Sequence, residues 1–337
     1  MRAARLHGPG DLRIEEEPPP DVPPGHVVVR VTAVGICGSD LHWFGHGTIG
    51  DARIERPLVL GHEMAGIVDA PPHAPQRVAI DPAIPCERCP TCIDGDPNLC
   101  PSIAFAGHGP TDGGLREVLA WPQQLLHPLP PSLTDADGAM LEPLGVAIHA
   151  VDLSHLRVGA DVAVLGCGPI GLSIVQLCRV AGARTILAVD PLEHRREAAR
   201  RFGADETAAD GGALVDAVGR TTSRRGFDVG FDASNASTAV EALMASARPG
   251  ARIVLAGIPD DDRTSFRASL GRRKGLTLVL VRRMKATYPR AIDLVTRGLV
   301  DVRSLVTATY PLEHADEAFA VAARREGLKV VIEPTTP

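Results

Sequence analysis

Asp161-Val162-Ala163-Val164-Leu165 runs directly into Gly166-Cys167-Gly168-Pro169-Ile170-Gly171, and the apolar character continues as far as Ala181. The Val-rich run has the length of a buried strand, and residues 170–181 have the length and apolar content of a helix. A GxGxxG placed between the two is a dinucleotide-binding fingerprint. Its first glycine permits the tight turn, the second lets backbone approach a pyrophosphate, and the third lets helix pack on strand. The helix N-terminus then offers amide donors and a partial positive charge to the phosphates. Thr185-Ile186-Leu187-Ala188-Val189 reads as the next strand and ends on Asp190. A carboxylate there accepts hydrogen bonds from adenosine ribose hydroxyls and repels a 2′-phosphate, which favours NAD over NADP. Arg195 follows closely and offers a guanidinium that can also hold a phosphate.

Outward from this turn the same alternation continues. Residues 192–202 read as a helix, 227–232 as a strand, 238–247 as a helix and 252–256 as a strand. Strands alternating with helices predict a doubly wound parallel sheet, placed at residues 150–284. Residues 1–149 have another texture, with many prolines and short apolar runs such as Val27-Val28-Val29-Arg30-Val31, Gly66-Ile67-Val68 and Arg77-Val78-Ala79-Ile80. These predict a mostly β domain, with turns at Pro23-Pro24-Gly25 and Pro71-Pro72. Residues 285–337 hold a helix over 288–297 and a terminal strand, Lys329-Val330-Val331-Ile332, that returns to the first domain. The expected fold class is therefore α/β with a mostly β partner domain.

The chain has 337 residues and a formal net charge of −6, with 41 acidic residues against 35 Lys and Arg. That length suggests about two domains, and the acidic balance excludes a sequence-wide nucleic-acid binder. Arg272-Arg273-Lys274 reads as solvated loop charge, and the 11 aromatic residues (7 Phe, 2 Trp and 2 Tyr) are too sparse for a base-stacking platform. Residues 162–178 are apolar but broken by Gly166, Gly168, Pro169 and Gly171, so no membrane span is expected. The N-terminus lacks the apolar core of a signal peptide, and the expected location is the cytoplasm.

Seven cysteines are an odd number, and four of them, Cys86, Cys89, Cys92 and Cys100, form C-x2-C-x2-C-x7-C. Four thiolates in one short loop can close a tetrahedral sphere around zinc, which leaves no open position and implies a structural role. An iron-sulfur cluster uses the same donors; the following Asn98-Leu99 context favours a zinc lobe. A second set is dispersed: Cys37 in Gly35-Ile36-Cys37-Gly38-Ser39-Asp40, His62-Glu63 after Gly61, and Glu142 in Met140-Leu141-Glu142-Pro143. Spacing does not join these residues, because nothing local brings positions 37, 62 and 142 together. Cys167 and Cys178 read as small buried apolar residues, and His149 and His155 as hydrogen-bonded structural histidines.

GICGSDLHWF, GHEMAG, the four-Cys lobe, MLEPLGVAIHA and VLGCGPIG stand in the order seen in zinc-dependent medium-chain dehydrogenases. The chain resembles that family along nearly its whole length, most closely its sorbitol (polyol) dehydrogenase branch. The resemblance implies a GroES-like catalytic domain plus a Rossmann domain, two zinc ions per chain, NAD as cofactor, and a dimer or tetramer. Cys37, His62 and Glu63 match the catalytic zinc ligands, and Glu142 the carboxylate that binds zinc directly or through its water. Ile170, Asp190 and Arg195 match positions that contact NAD. Ser39 resembles the hydroxyl that takes the alcohol proton, with His42 placed to pass it to water.

The resemblance further implies that Arg283 reaches cofactor or substrate and that Trp43, Phe105 and Met284 border the substrate. Polyol dehydrogenases resemble Phe-Arg-Tyr where this chain has Arg282-Arg283-Met284, and commonly carry Tyr where it has Trp43. Both changes remove a hydroxyl and make the pocket less polar, which counts against sorbitol itself. The threonine dehydrogenase branch usually has His before the first lobe cysteine, where this chain has Pro85. The expected reaction is oxidation of a polyol or related secondary alcohol to a ketone. The competing readings are a threonine or general secondary-alcohol dehydrogenase, a ketone reductase, and a non-enzymatic dinucleotide-binding redox sensor. The stretch from Asp69 to Arg77 is shorter than the glycine-rich turn usual in the family.

Overall fold

The computed structural model describes residues 1–68 and 75–335, so the turn expected at Pro71-Pro72 and most of the shortened stretch after Asp69 lie outside the described residues. Contacts divide the chain into two units: Met1–Glu142, Tyr288–Thr296 and Val302–Pro337 form one, and Pro143–Thr287 with Arg297–Asp301 the other. The division at Glu142 precedes the change of texture near Ala150, because the helix Leu141–Ser154 is already apolar and almost wholly buried. Arg297–Asp301 counts with the second unit, where Gln176 bonds Asp301 through both its amide groups, at 3.1 and 2.7 Å.

The first unit is built on a seven-stranded sheet in the order Leu126–Pro128, Gln76–Ile80, Glu63–Val68, His26–Gly35, Lys329–Glu333, Val306–Pro311, with Val118–Pro122 also paired to His26–Gly35. Two registers decide what this sheet can do. Gly35 pairs with Glu63 and Val34 with Met64, while Val331 pairs with Gly35 and Ile332 with Val34. The end of one strand, the start of a second and the start of the C-terminal strand therefore meet at one edge. Side chains such as Val29, Val31, Val34, Met64, Ile80, Trp121 and Ile332 fill the core beneath.

The second unit holds six parallel strands in the order Glu206–Ala208, Thr185–Val189, Asp161–Leu165, Phe227–Asp232, Ala247–Leu255, Thr277–Leu280. Strand order reverses beside Asp161–Leu165, the switch point at which doubly wound sheets bind ligands beyond the strands' carboxyl ends. All residues of Asp161–Leu165 are buried, as expected for a parallel strand covered on both faces. The helix Pro169–Val180 packs on it, with Pro169 at the first helical position, where its missing N–H costs nothing. The helices Glu193–Arg201 and Ala239–Ser246 lie where the sequence places them. Arg272-Arg273-Lys274 departs from the expectation of loop charge. It closes the helix Ala268–Lys274, and Lys274 Nζ donates to the carbonyls of Met244, Ala245 and Ala247 at 2.7–2.9 Å.

Candidate functional site

Cys37 and His62 come together because the strand His26–Gly35 ends beside the start of Glu63–Val68. A helix, Gly38–His46, starts immediately after Cys37, and the Asp40 side chain folds back to accept from the Cys37 amide at 2.9 Å. The other Asp40 oxygen accepts from Gly61 N at 3.3 Å and lies 3.5 Å from His62 Nδ1. One buried carboxylate thus fixes the backbone of both segments and the ring orientation of His62, leaving Nε2 for a cation. Burial raises the Asp40 pKa, but His62 and the two backbone amides outweigh it and hold the group below its ordinary value. For His62, burial disfavours the charge, yet Asp40 and the Cys37 sulfur raise its pKa well above the usual value. The anionic neighbours that favour a proton on His62, Asp40 and the Cys37 sulfur, favour a metal cation at the same place.

Glu63 completes a group of three. The donor atoms of Cys37, His62 and Glu63 all lie within 4.8 Å of one another. Gly35 makes the room, because a Cβ at that position would collide with the Glu63 carboxylate. Lys329 reaches the same carboxylate with Nζ at 2.6 and 2.7 Å from its two oxygens, and donates to Ile36 O at 2.9 Å. Glu142 is buried and electrostatically coupled to His62, Glu63, Lys329 and Asp81, and burial pushes its pKa up to about 7. The structure does not draw its carboxylate into the group of three. A thiolate, an imidazole and a carboxylate at this separation suit a divalent zinc ion that keeps an open position.

Ser39 Oγ lies 3.5 Å from His62 Nε2. His42 is half-buried, with its ring 6.2 Å from that of exposed His46. Phe105 tilts against the His62 ring at 5.3 Å between centroids. Trp43 is part of the first unit's core, edge-on to His108 at 5.3 Å. Met284 is buried in the second unit, its sulfur accepting from Thr287 Oγ1 at 3.2 Å. Phe105, one of the three expected substrate contacts, thus stands beside a residue of the metal group.

The lobe cysteines also cluster, with the sulfurs of Cys86, Cys89, Cys92 and Cys100 within 4.8 Å of one another. Cys86 N donates to Cys100 Sγ at 3.4 Å, and Thr91 Oγ1 lies 3.0 Å from Cys89 Sγ. The Thr91 hydroxyl and the Cys92 amide lower the Cys89 thiol to about 6, whereas burial and the neighbouring sulfurs push Cys92 up to about 12. Four sulfurs this close cannot all ionise without a cation, and zinc removes that conflict.

In the second unit, Gly166 takes φ +89°, and a Cβ on Gly171 would collide with the Gly166 carbonyl. Gly168 leaves open space, bordered only by Arg195 Nη1 at 3.9 Å from where its Cβ would stand. The buried Asp190 carboxylate is anchored by Cys167 N and Leu192 N, each at 2.9 Å. Arg283 holds an uncommon left-handed backbone, φ +53°, a strain that concentrates at ligand sites. Cys167 is buried, and burial pushes its thiol up to about 12, as a packing residue requires. His149 is buried; His155 is not the structural histidine expected, being exposed at φ +51°.

Sequence reasoning passed over Asp40, Lys329 and Gly257. Asp40 carried a signal, since an acid three residues after Cys37 is a helix-capping pattern. Gly257 follows the strand Ala247–Leu255 as Gly166 follows Asp161–Leu165, and a Cβ there would collide with Ser234 O. Lys329 carried none, because its alternation matches an ordinary strand.

Comparison with known proteins agrees with both halves. Residues 23–131 match the alcohol dehydrogenase GroES-like domain, and residues 169–297 the zinc-binding dehydrogenase domain. The chain is 34% identical to the sorbitol dehydrogenase of Bacillus subtilis (strain 168) over 344 residues, covering 99% of this chain and 97% of that one. It superposes on L-idonate 5-dehydrogenase of Escherichia coli with a TM-score of 0.91 at 28% identity, covering 98% and 97% of the two chains. A zinc-binding dehydrogenase of Sinorhizobium meliloti 1021, solved with NADP bound, superposes with a TM-score of 0.88 at 29% identity, covering 99% of each chain. No helix among the described residues is long and apolar enough to cross a membrane. The chain thus belongs to the zinc-dependent, nicotinamide-linked alcohol dehydrogenase family, within its polyol dehydrogenase-like branch.

Proposed function

We propose that this enzyme oxidises a secondary hydroxyl of a polyol to a ketone with NAD as acceptor, Cys37, His62 and Glu63 holding a catalytic zinc and Cys86, Cys89, Cys92 and Cys100 a structural one. The observation that carries the reading is the convergence of the three donors within 4.8 Å. When bound, zinc supplies the Lewis acidity that makes an alcohol hydroxyl acidic, and NAD supplies the hydride acceptor. Asp40 holds the His62 ring in place from the Nδ1 side. Ser39 Oγ receives the proton that the alcohol gives up, and His42 passes it toward solvent at the exposed end of the same helix. Glu142, whose pKa burial pushes up to about 7, adds a second carboxylate on call for the metal or its water. Phe105 offers an apolar wall beside His62.

Gly166, Gly168, Pro169, Ile170 and Gly171 would cradle the pyrophosphate, Asp190 the adenosine ribose, and Arg195 and Arg283 the cofactor's charged groups. Asp190 supports NAD over NADP, since a 2′-phosphate would meet a buried carboxylate. All seven cysteines are free thiols, which suits metal ligation in a reducing cytoplasm. A homo-oligomer, dimer or tetramer, is part of the reading.

The test is NAD+ reduction with a panel of polyols, L-threonine and simple secondary alcohols, with and without a chelator, repeated with NADP+. Chelator-sensitive turnover on polyols, faster with NAD+, is the expected result. Turnover confined to L-threonine or to simple alcohols would overturn the substrate class. Full turnover and an unchanged metal count in Cys37→Ser would overturn the ligand set.

A further inference from the structure

We propose that the second unit carries a binding site for a phosphomonoester, separate from the dinucleotide site. A cavity of about 450 Å³ opens near the amino ends of Asp161–Leu165, Phe227–Asp232 and Ala247–Leu255. The glycine turn follows the other end of Asp161–Leu165, so a strand's length, about 15 Å, separates the two sites. The volume lies in the range of metabolite pockets, roughly 300–1,000 Å³.

Charge decides the ligand. Arg157, Arg225, Arg248 and Arg252 line the cavity against a single carboxylate, Asp228. That cationic excess runs against the chain as a whole, whose net charge is −6. Asp228 is already engaged: Arg225 Nη2 lies 2.8 Å from one of its oxygens and Arg248 Nε 2.6 Å from the other. Arg225 also reaches buried Asp161 at 2.7 Å, so its position is fixed from below. Arg157 and Arg252 form no ion pair among the described residues; Arg252 meets only the Leu153 carbonyl, at 3.3 Å. Two uncommitted guanidinium groups thus face a cavity whose other two are braced by carboxylates.

Guanidinium forks match phosphate oxygens two at a time, so the site is built for a dianionic phosphate carried on a small polar body. Two of the lining residues are glycines in left-handed turns, Gly159 at φ +81° and Gly250 at φ +74°. His155, at φ +51°, adds an imidazole ring to the lining.

The experiment is calorimetric titration of the zinc-loaded full chain, saturated with NAD+ so that its pyrophosphate site is filled, at constant ionic strength. The probes are inorganic phosphate, a ribose phosphate and ribose. Phosphate and ribose phosphate should bind once per chain, and ribose should not. The double variant Arg157→Gln/Arg252→Gln should weaken both by about tenfold or more, since each charge-assisted contact is worth about that factor. Arg13→Gln, which removes one charge from an exposed arginine of the first unit, should leave binding unchanged. Absence of saturable binding at millimolar phosphate would overturn the proposal. So would binding that is equal in parent and double variant, or equally weakened in Arg13→Gln. Circular dichroism of each variant separates a lost site from a lost fold.

Discussion

Replacing Lys329 by methionine keeps the volume of the side chain and removes its charge. The Lys329 side chain is 4% exposed and that of Glu63 1%, with contacts of 2.6 and 2.7 Å between their charged groups. Without Lys329 the carboxylate is left buried and uncompensated in the metal-free protein, and the Ile36 carbonyl loses its donor. Breaking one side of such a buried pair costs about 3–5 kcal/mol. Zinc on the same carboxylate restores the compensation, so the loss in the zinc-loaded protein should be smaller. Urea unfolding followed by tryptophan emission reads the effect where it occurs, because both tryptophans, Trp43 and Trp121, belong to the first unit. The double variant Glu63→Gln/Lys329→Met should cost less than the sum of the single variants, with a coupling of about 1–3 kcal/mol. A metal-free Lys329→Met protein within about 1 kcal/mol of the parent would refute the reasoning. So would strict additivity in the cycle.

Gly171→Ala would drive a Cβ into the Gly166 carbonyl; we expect NAD+ binding, measured by fluorescence titration, to weaken more than about tenfold, with tryptophan-detected unfolding of the first unit unchanged. Cys89→Ser should lower the metal count measured by atomic emission from two zinc ions per chain to one, and open residues 86–100 to proteolysis. Burial pushes Asp81 up to about 6, so the folded state binds its proton more tightly than the unfolded state does. Stability should therefore fall as pH rises from about 4 to about 6, and Asp81→Asn should remove roughly 1–3 kcal/mol of that loss. Unfolding curves across this range check it, with Trp121, whose indole donates to Asp81 O at 2.8 Å, as the local probe; equal pH slopes in the two proteins would count against it.

How much of this was legible depended on whether the information was local. Asp161–Leu165 and Thr185–Val189 announce themselves as continuous apolar runs, because parallel strands are covered on both faces. Glu206–Ala208 and Thr277–Leu280 do not: they close the sheet at its two edges, where short, half-exposed strands carry little pattern. The helix Gly211–Thr221 begins on two glycines, which mask it, although the Asp210 cap accepting from Ala213 N at 2.9 Å was there to be read.

The two metal groups make the same contrast in chemical terms. The four lobe cysteines sit within one loop, so their spacing alone specifies a chelate, and the sulfurs do converge. Cys37, His62 and Glu63 are joined by strand register, Gly35 opposite Glu63, and no spacing rule encodes that pairing. Only resemblance could supply it beforehand. Lys329 shows what resemblance to motifs still leaves out. It comes to Glu63 because Val331 pairs with Gly35, which brings position 329 past the strand's end to the buried edge. A slip of one residue in either pairing would turn Glu63 or Lys329 to the opposite face. The catalytic donor set and the ion pair behind it therefore stand or fall together, as a property of the sheet rather than of any segment in it.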